Sequence, residues 1–192
     1  IFESDQPQAI FKVIQPRTTN LEYSVEHFGD HFYFHTNFNN ATNFQIMRSS
    51  VSQTTSKFWE PLLAHSEDVL IEDFELFDQF LVVNERENGL SRLRIMRWDN
   101  LEDYFLPIDE ETYGLNISFN PDFNSTRLRY EFNSLKTPSS IVEFDMINRE
   151  NTILKTQEVL GEDFDPKHYV TKRLWADSRD GVKIPISIVY HM

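Results

Sequence analysis

Three histidines open the chemical reading: His27, His31 and His35 recur every four residues. On a helix that spacing lines imidazoles along one face, the arrangement of a metal site. Gly29-Asp30 and the aromatic run Phe32-Tyr33-Phe34 read instead as a turn and a strand. Along a strand, positions four apart are separated by about 13 Å, too far to share one ion. Ordinary strand and turn histidines are expected, with no metal site. The acidic groups Glu67-Asp68, Glu72-Asp73, Asp109-Glu110-Glu111 and Glu162-Asp163 raise the alternatives of a carboxylate dyad or a calcium loop. None has the alternating Asp spacing of a calcium-binding loop, so solvated loop carboxylates are expected. A narrower reading has some of them attract basic peptides. Arg92, Arg94 and Arg97 form a basic row on one predicted strand. Amid so many acids, intramolecular ion pairs are expected rather than a nucleic-acid stripe. Asn40-Ala41-Thr42 and Asn116-Ile117-Ser118 have the glycosylation spacing, which carries little weight without a secretory leader.

The elements that must hold these residues are strands. The chain has 192 residues, 40% of them hydrophobic, which is enough to bury a real core. It carries 17 Phe, 7 Tyr and 3 Trp against only 5 Gly, and few long stretches of Ala, Leu, Glu and Lys. That composition points to an all-β protein. The net charge of −13 repels nucleic acid and anionic membranes and favours basic partners or peptides, beyond the plain benefit to solubility. Without cysteine there is no disulfide scaffold and no thiolate metal site, and the composition fits a reducing compartment, so a cytoplasmic location is expected. No apolar run reaches the 18 residues of a membrane span. The first residues lack the order of a secretory signal and read as strand and loop, as if inside a larger domain.

An internal repeat organises the strands. Asn43 to Arg48 and Arg92 to Arg97 superimpose at an offset of 49 residues, as do Phe32-Tyr33-Phe34 with Leu81-Val82-Val83, and Phe28 with Phe77. A looser third copy has Leu128 to Phe132 and Ser140 to Met146 as its two central strands. Strand repeats of this length suggest β-propeller blades, each a four-stranded antiparallel sheet. Three blades are expected, at roughly Leu21–Phe58, Trp59–Pro107 and Ile108–Gln157. Asp68 to Ile71 and Tyr113 to Phe119 would be inner strands, and Gln8 to Val13 and Thr152 to Gln157 outer ones. Phe58 to Ala64 could make one helical turn, but Pro61 interrupts it. The domain plan is thus a partial propeller over 1–157, a linker over 158–172 with a boundary at Gly161 to Lys167, and a separate start over 173–192. That start lies in a hairpin around Asp180-Gly181, whose Val182, Ile184, Ile186, Ile188 and Tyr190 alternate with more polar neighbours. The alternation predicts one buried face. The strand runs to the last residue, so the chain is expected to continue.

Collinear segments over essentially the whole chain then resemble a known family. They include FKVIQPR at Phe11–Arg17, Glu22 to Val25, Gly29 to Tyr33, Glu67 to Leu70, Leu81 to Val83 with Glu85-Arg86, Thr137 to Ser140, Val159 to Gly161, and the closing RLWADSRDGVKIPISIVYH. Together they are similar to the oligopeptidase B group of the prolyl oligopeptidase family of serine peptidases. The resemblance implies a seven-bladed propeller covering the active site of an α/β-hydrolase domain. This chain would supply the later blades, the linker and the first strand of that domain. It also implies cleavage of short peptides after Lys or Arg, which suits the acidic balance.

The family's chemistry is not expected in these residues. A hydrolase nucleophile sits in a Gly-x-Ser-x-Gly elbow, and the acid and histidine follow it. The glycines Gly29, Gly89, Gly114, Gly161 and Gly181 include no pair four apart. No Ser, Asp or His matches a catalytic position of the family, and no cofactor is implied. The expectation is a non-catalytic propeller portion, inactive alone, that limits substrate size. Its partners would be short basic peptides and the enzyme's own hydrolase domain, with no nucleic acid or membrane. Pro166 and Pro185 are candidates for limiting flexibility at the junction. The alternative is a stand-alone propeller that serves as a protein-interaction module. In either case, exposed blade edges favour self-association.

Overall fold

The computed structural model describes residues 10–160 and 164–192. The chain divides into two compact units, one ending at Ile71 and the other beginning at Glu72.

The first unit holds one antiparallel sheet of four strands in chain order: β1 (Tyr23–Phe28), β2 (His31–Thr36), β3 (Gln45–Ser50) and β4 (Glu60–Leu63). Its core gathers on Trp59, whose ring stacks on Phe34 at 4.2 Å and meets Tyr23 edge-on at 5.6 Å. The Trp59 indole N–H donates to the Thr54 carbonyl at 2.8 Å, so the polar end of the ring is satisfied inside. Ile14, Phe32 and Met47 complete the cluster. Pro61 lies in β4, opposite Met47. At a sheet edge its missing N–H costs no ladder bond. The expected boundary at Phe58 is therefore corrected: the first sheet continues to Leu63, and Ser56–Phe58 is a short 3-10 turn leading into it.

The second unit holds two more such sheets, the first of which opens with a strand that starts just before Glu72. One is β5 (Val69–Leu76), β6 (Phe80–Glu87), β7 (Leu90–Arg97) and β8 (Asp103–Phe105). The other is β9 (Tyr113–Ile117), β10 (Arg127–Ser134), β11 (Ser140–Asp145) and β12 (Glu150–Thr156). The repeat holds: Phe32-Tyr33-Phe34 and Leu81-Val82-Val83 lie on second strands, and Met47 and Met96 on third strands. Phe80 and Val82 of β6 and Leu93 and Ile95 of β7 point to one face, two residues apart, as the strand period requires. They share a core with Leu115, Leu128, Tyr130, Val142 and Phe144 of the neighbouring sheet. Each large apolar side chain fully buried there contributes about 1.5–3 kcal/mol. Burial pushes the Tyr130 phenol up to about 12, and its hydroxyl lies 3.0 Å from the Asn151 side-chain oxygen. The turn between β6 and β7 is Asn88-Gly89, both at positive φ (51° and 76°), as a tight twisted hairpin demands.

A two-stranded ribbon completes the unit: β13 (Tyr169–Asp177) and β14 (Lys183–His191), paired from Tyr169–His191 to Asp177–Lys183. It is the hairpin that the Asp180-Gly181 turn predicts, and Gly181 takes φ 84°. Residues 158–160 and 164–165 lie outside strands, and Pro166–His168 forms a 3-10 turn capped by the Asp165 carboxylate. Of the leading strand expected over Gln8 to Val13, residues 8–9 lie outside the described residues and 10–13 are not strand.

Candidate functional site: the terminal hairpin and its seat

The ribbon carries the chemistry of docking. Residues opposite each other in the register share a face, so Leu174, Ala176, Ile184, Ile186, Ile188 and Tyr190 line one side. Thr171, Arg173, Pro185 and Ser187 line the other. The face that the alternation marks for burial is open within this chain: Leu174, Ile184, Ile186 and Tyr190 are each 40–47% exposed. The reason is that the opposite face meets the sheets, and it does so through polar contacts.

Three loops of the second unit form the seat. At the β6–β7 turn, the Arg173 guanidinium donates to the Asn88 carbonyl. A Cβ on Gly89 would stand 3.1 Å from that guanidinium and 3.6 Å from the Pro185 ring, so the ribbon approaches where only glycine fits without adjustment. In the β8–β9 connection, Glu111 accepts the Arg173 backbone N–H at 3.1 Å, and the Thr112 hydroxyl donates to Ser187 at 2.6 Å. From the β10–β11 turn, the Thr137 hydroxyl donates to Glu110 at 2.6 Å and steadies that connection. Arg173 also lies over the Trp175 ring at 5.3 Å. Burial raises the Tyr113 phenol, against the opposing fields of Arg173 and Arg92.

Several of the residues singled out for chemistry make structural contacts instead. His27 and His31 stand either side of the Gly29-Asp30 turn, with their rings 5.2 Å from Phe32 and 6.4 Å from Tyr33. His35 stacks on Phe44 at 4.4 Å, and its Nε2 lies 2.8 Å from the Ile71 carbonyl. Among the described residues no three His, Asp or Glu side chains converge on a common point. Glu72 pairs with Arg86 at 2.8 Å, and Asp73 accepts the Phe74 N–H at 2.9 Å. Glu67 contributes its backbone carbonyl to Asn43, while Glu162-Asp163 lies outside the described residues. The arginine row does form ion pairs within the chain. Glu85, 1% exposed, accepts from Arg92 at 2.8 Å and Arg94 at 2.6 Å; these also pair with Glu87 and Asp103. Both guanidiniums lie over the Phe105 ring, and Arg97 pairs with Asp99. The link from Arg173 to Glu111 and Asn88 has no local signal in the sequence, because its partners lie 62 and 85 residues away.

With the geometry in hand, the matches to known proteins are specific. Residues 1–157 match the family model of the prolyl oligopeptidase N-terminal β-propeller domain. The chain belongs to that family. Dipeptidyl aminopeptidase BI of Pseudoxanthomonas mexicana is 41% identical over 182 residues, which is 94% of this chain and 25% of that protein. Protease 2 of Moraxella lacunata is 26% identical, matching 99% of this chain and 27% of its own length. Oligopeptidase B from Leishmania major superimposes with a TM-score of 0.82 at 28% identity, over 93% of this chain and 26% of that one. The chain thus spans about a quarter of the length of the relatives it matches. Its sheets are propeller blades, and the ribbon follows the matched propeller segment.

Proposed function

We propose that this chain is the non-catalytic propeller portion of a serine oligopeptidase that cleaves short peptides after Lys or Arg. In that reading the blades exclude folded proteins and admit short peptides to a site beneath. The ribbon is the start of the peptidase domain, and its exposed apolar face is covered by the rest of that domain. The observation that carries the reading is the propeller match to residue 157, followed by a ribbon that leaves one apolar face open. The chemistry would be acyl transfer through a Ser-His-Asp triad supplied by other residues. The net charge of −13 would draw basic peptides to the propeller. Pro166 and Pro185 would stiffen the junction on which opening turns. The cytoplasm is the proposed location. Exposed β12, at a sheet edge, would let the isolated chain self-associate.

The test compares this 192-residue chain with the longest natural polypeptide that carries it, using a blocked Arg-amide peptide and a fluorophosphonate probe. An active, labelled long form beside a silent short one is expected. An inert, unlabelled long form would overturn the peptidase reading in favour of an interaction module. The 41% identity to a dipeptidyl aminopeptidase supports a second reading, removal of dipeptides from a free N-terminus. A long form that cleaves unblocked dipeptidyl amides and spares the blocked Arg-amide would favour it.

A further inference from the structure

A cleft of about 340 Å³ opens between the β7–β8 turn and the β11–β12 turn, and nothing in the docking seat uses it. Tyr104 stands at its centre. The phenol donates to the Met146 carbonyl at 2.6 Å, which fixes the ring. The Arg149 guanidinium lies 4.0 Å from the ring centroid. Buried Met146 and the exposed side chains of Leu101 and Ile147 supply apolar lining.

Of the two arginines that line the cleft, one is paired with a carboxylate and the other is not, while the Glu102 carboxylate stands at the rim beside Arg97. Asp145 spends its carboxylate on the turn, accepting the Ile147 and Asn148 N–H groups at 2.9 Å and the Asn148 amide at 3.0 Å. Arg97 holds Asp99 through two hydrogen bonds and feels Glu102 at the rim. Asp103 pairs with Arg94. Among the described residues Arg149 has the Tyr104 ring as its partner and no carboxylate.

The backbone adds an independent mark. Among the described residues of the second unit, the non-glycine residues at positive φ are Asn88, Leu101 and Arg149. Asparagine tolerates that region; leucine and arginine are uncommon there. Leu101 and Arg149 occupy matching places in the two turns, 48 residues apart, where each N–H closes its turn onto Arg97 or Asp145. Glycine would serve both turns with less strain. Instead both positions carry side chains that line the cleft.

We propose that this cleft binds a carboxylate carried on an apolar residue, such as the C-terminal end of a short peptide, with Arg149 as the anion's partner. The guanidinium fork matches a carboxylate with two parallel hydrogen bonds, and its stack on Tyr104 holds the fork in place beforehand. Leu101, Ile147 and Met146 receive the apolar side chain. The chain's net charge of −13 works against any anion, and against a multiply charged phosphate more than a monoanion.

The test is calorimetric titration of the longest natural polypeptide carrying this sequence with N-acetyl-leucine, its amide, and inorganic phosphate. The acid should bind about tenfold or more tightly than the amide, which lacks the charge, and more tightly than phosphate. Arg149→Gly removes the guanidinium while relieving the backbone, so the thermal midpoint should not fall and the preference for acid over amide should vanish. Arg149→Lys, which keeps charge without the fork, should retain part of that preference. Equal binding of acid and amide, tighter binding of phosphate, no saturable binding, or an Arg149→Gly protein that keeps its preference would each overturn the proposal. The readout is binding, so its failure and the failure of the peptidase reading are separate results.

Discussion

Two hairpins of this chain are built alike and end differently. The β6–β7 hairpin and the β13–β14 ribbon each join long antiparallel strands through a positive-φ glycine turn, with apolar residues recurring every second position. In the first, Phe80, Val82, Leu93 and Ile95 are completely buried against the neighbouring sheet. In the second, Ile184 and Ile186 remain open while Pro185 and Ser187 face the sheets. Alternation states that a face is suited to burial; it does not state what covers it. The β6–β7 hairpin meets another sheet of its own unit. The ribbon meets loops, through hydrogen bonds that hold it in place without using its apolar side.

The comparison is broken most severely at the shared core. Phe80→Ala or Phe144→Ala removes a fully buried ring between two sheets and should cost about 3–5 kcal/mol in a urea titration. Ile186→Ala in the ribbon should cost under about 1 kcal/mol in this 192-residue chain. In the longest natural polypeptide, Ile186→Ala should rise to about 2 kcal/mol or more if the rest of the protein covers that face. An unchanged small effect there would show that the apolar face of the ribbon stays open.

Charge burial gives the next largest effect. Glu85 is the one carboxylate clamped by two arginines deep in the second sheet, while Arg92 and Arg94 keep partial contact with solvent. Glu85→Ala leaves Arg92 with Glu87 alone and Arg94 with Asp103 alone, and should cost about 3 kcal/mol. A loss below about 1 kcal/mol would mean that the outer carboxylates suffice. Gly89→Ala should follow at about 1–2 kcal/mol, since it needs a positive φ and crowds Arg173. It acts on the seat, so Trp175 fluorescence should report loosening of the ribbon before the sheets melt.

What was legible in the sequence follows from the range of each interaction. The offset between Phe32–Phe34 and Leu81–Val83 gave the sheets their number and central strands, because every blade must solve the same burial problem with the same short pattern. Asp180-Gly181 gave the ribbon, because a tight turn is a local demand. The first sheet's end was misplaced because Pro61 reads as a breaker, and only its edge position makes it harmless. The seat was not legible: Arg173 has no feature that names Asn88 or Glu111, and only the fold brings them together. The cleft at Arg149 was equally hidden, since Tyr104 and Arg149 come from different sheets. A signal did exist there, an arginine in the turn place that glycine prefers, but it has meaning only once the turn is known.

The smallest effect separates the two faces of the third sheet. Tyr130 and Phe144 point into the core, whereas Arg127, Arg129 and Glu143 lie on the opposite face. The Arg127 hydrogen bond, helped by Arg129, holds the Glu143 carboxyl below its ordinary range. A depressed folded-state pKa means the unfolded chain binds the proton first as acid is added. Glu143 therefore stabilises the fold above the ordinary carboxylate pKa, near about 4, and that contribution is lost as pH falls through its lower folded value. Both arginines are about half exposed, so screening keeps the gain small, and 0.5 M salt should shrink it further. Glu143→Gln should flatten this part of the acid limb below about pH 5 while leaving stability at pH 8 within about 1 kcal/mol. A variant whose acid limb matches the parent's would place the acid sensitivity elsewhere. The next place to look is Asp145, whose carboxyl is held low by the Asn148 N–H of the turn that presents Arg149.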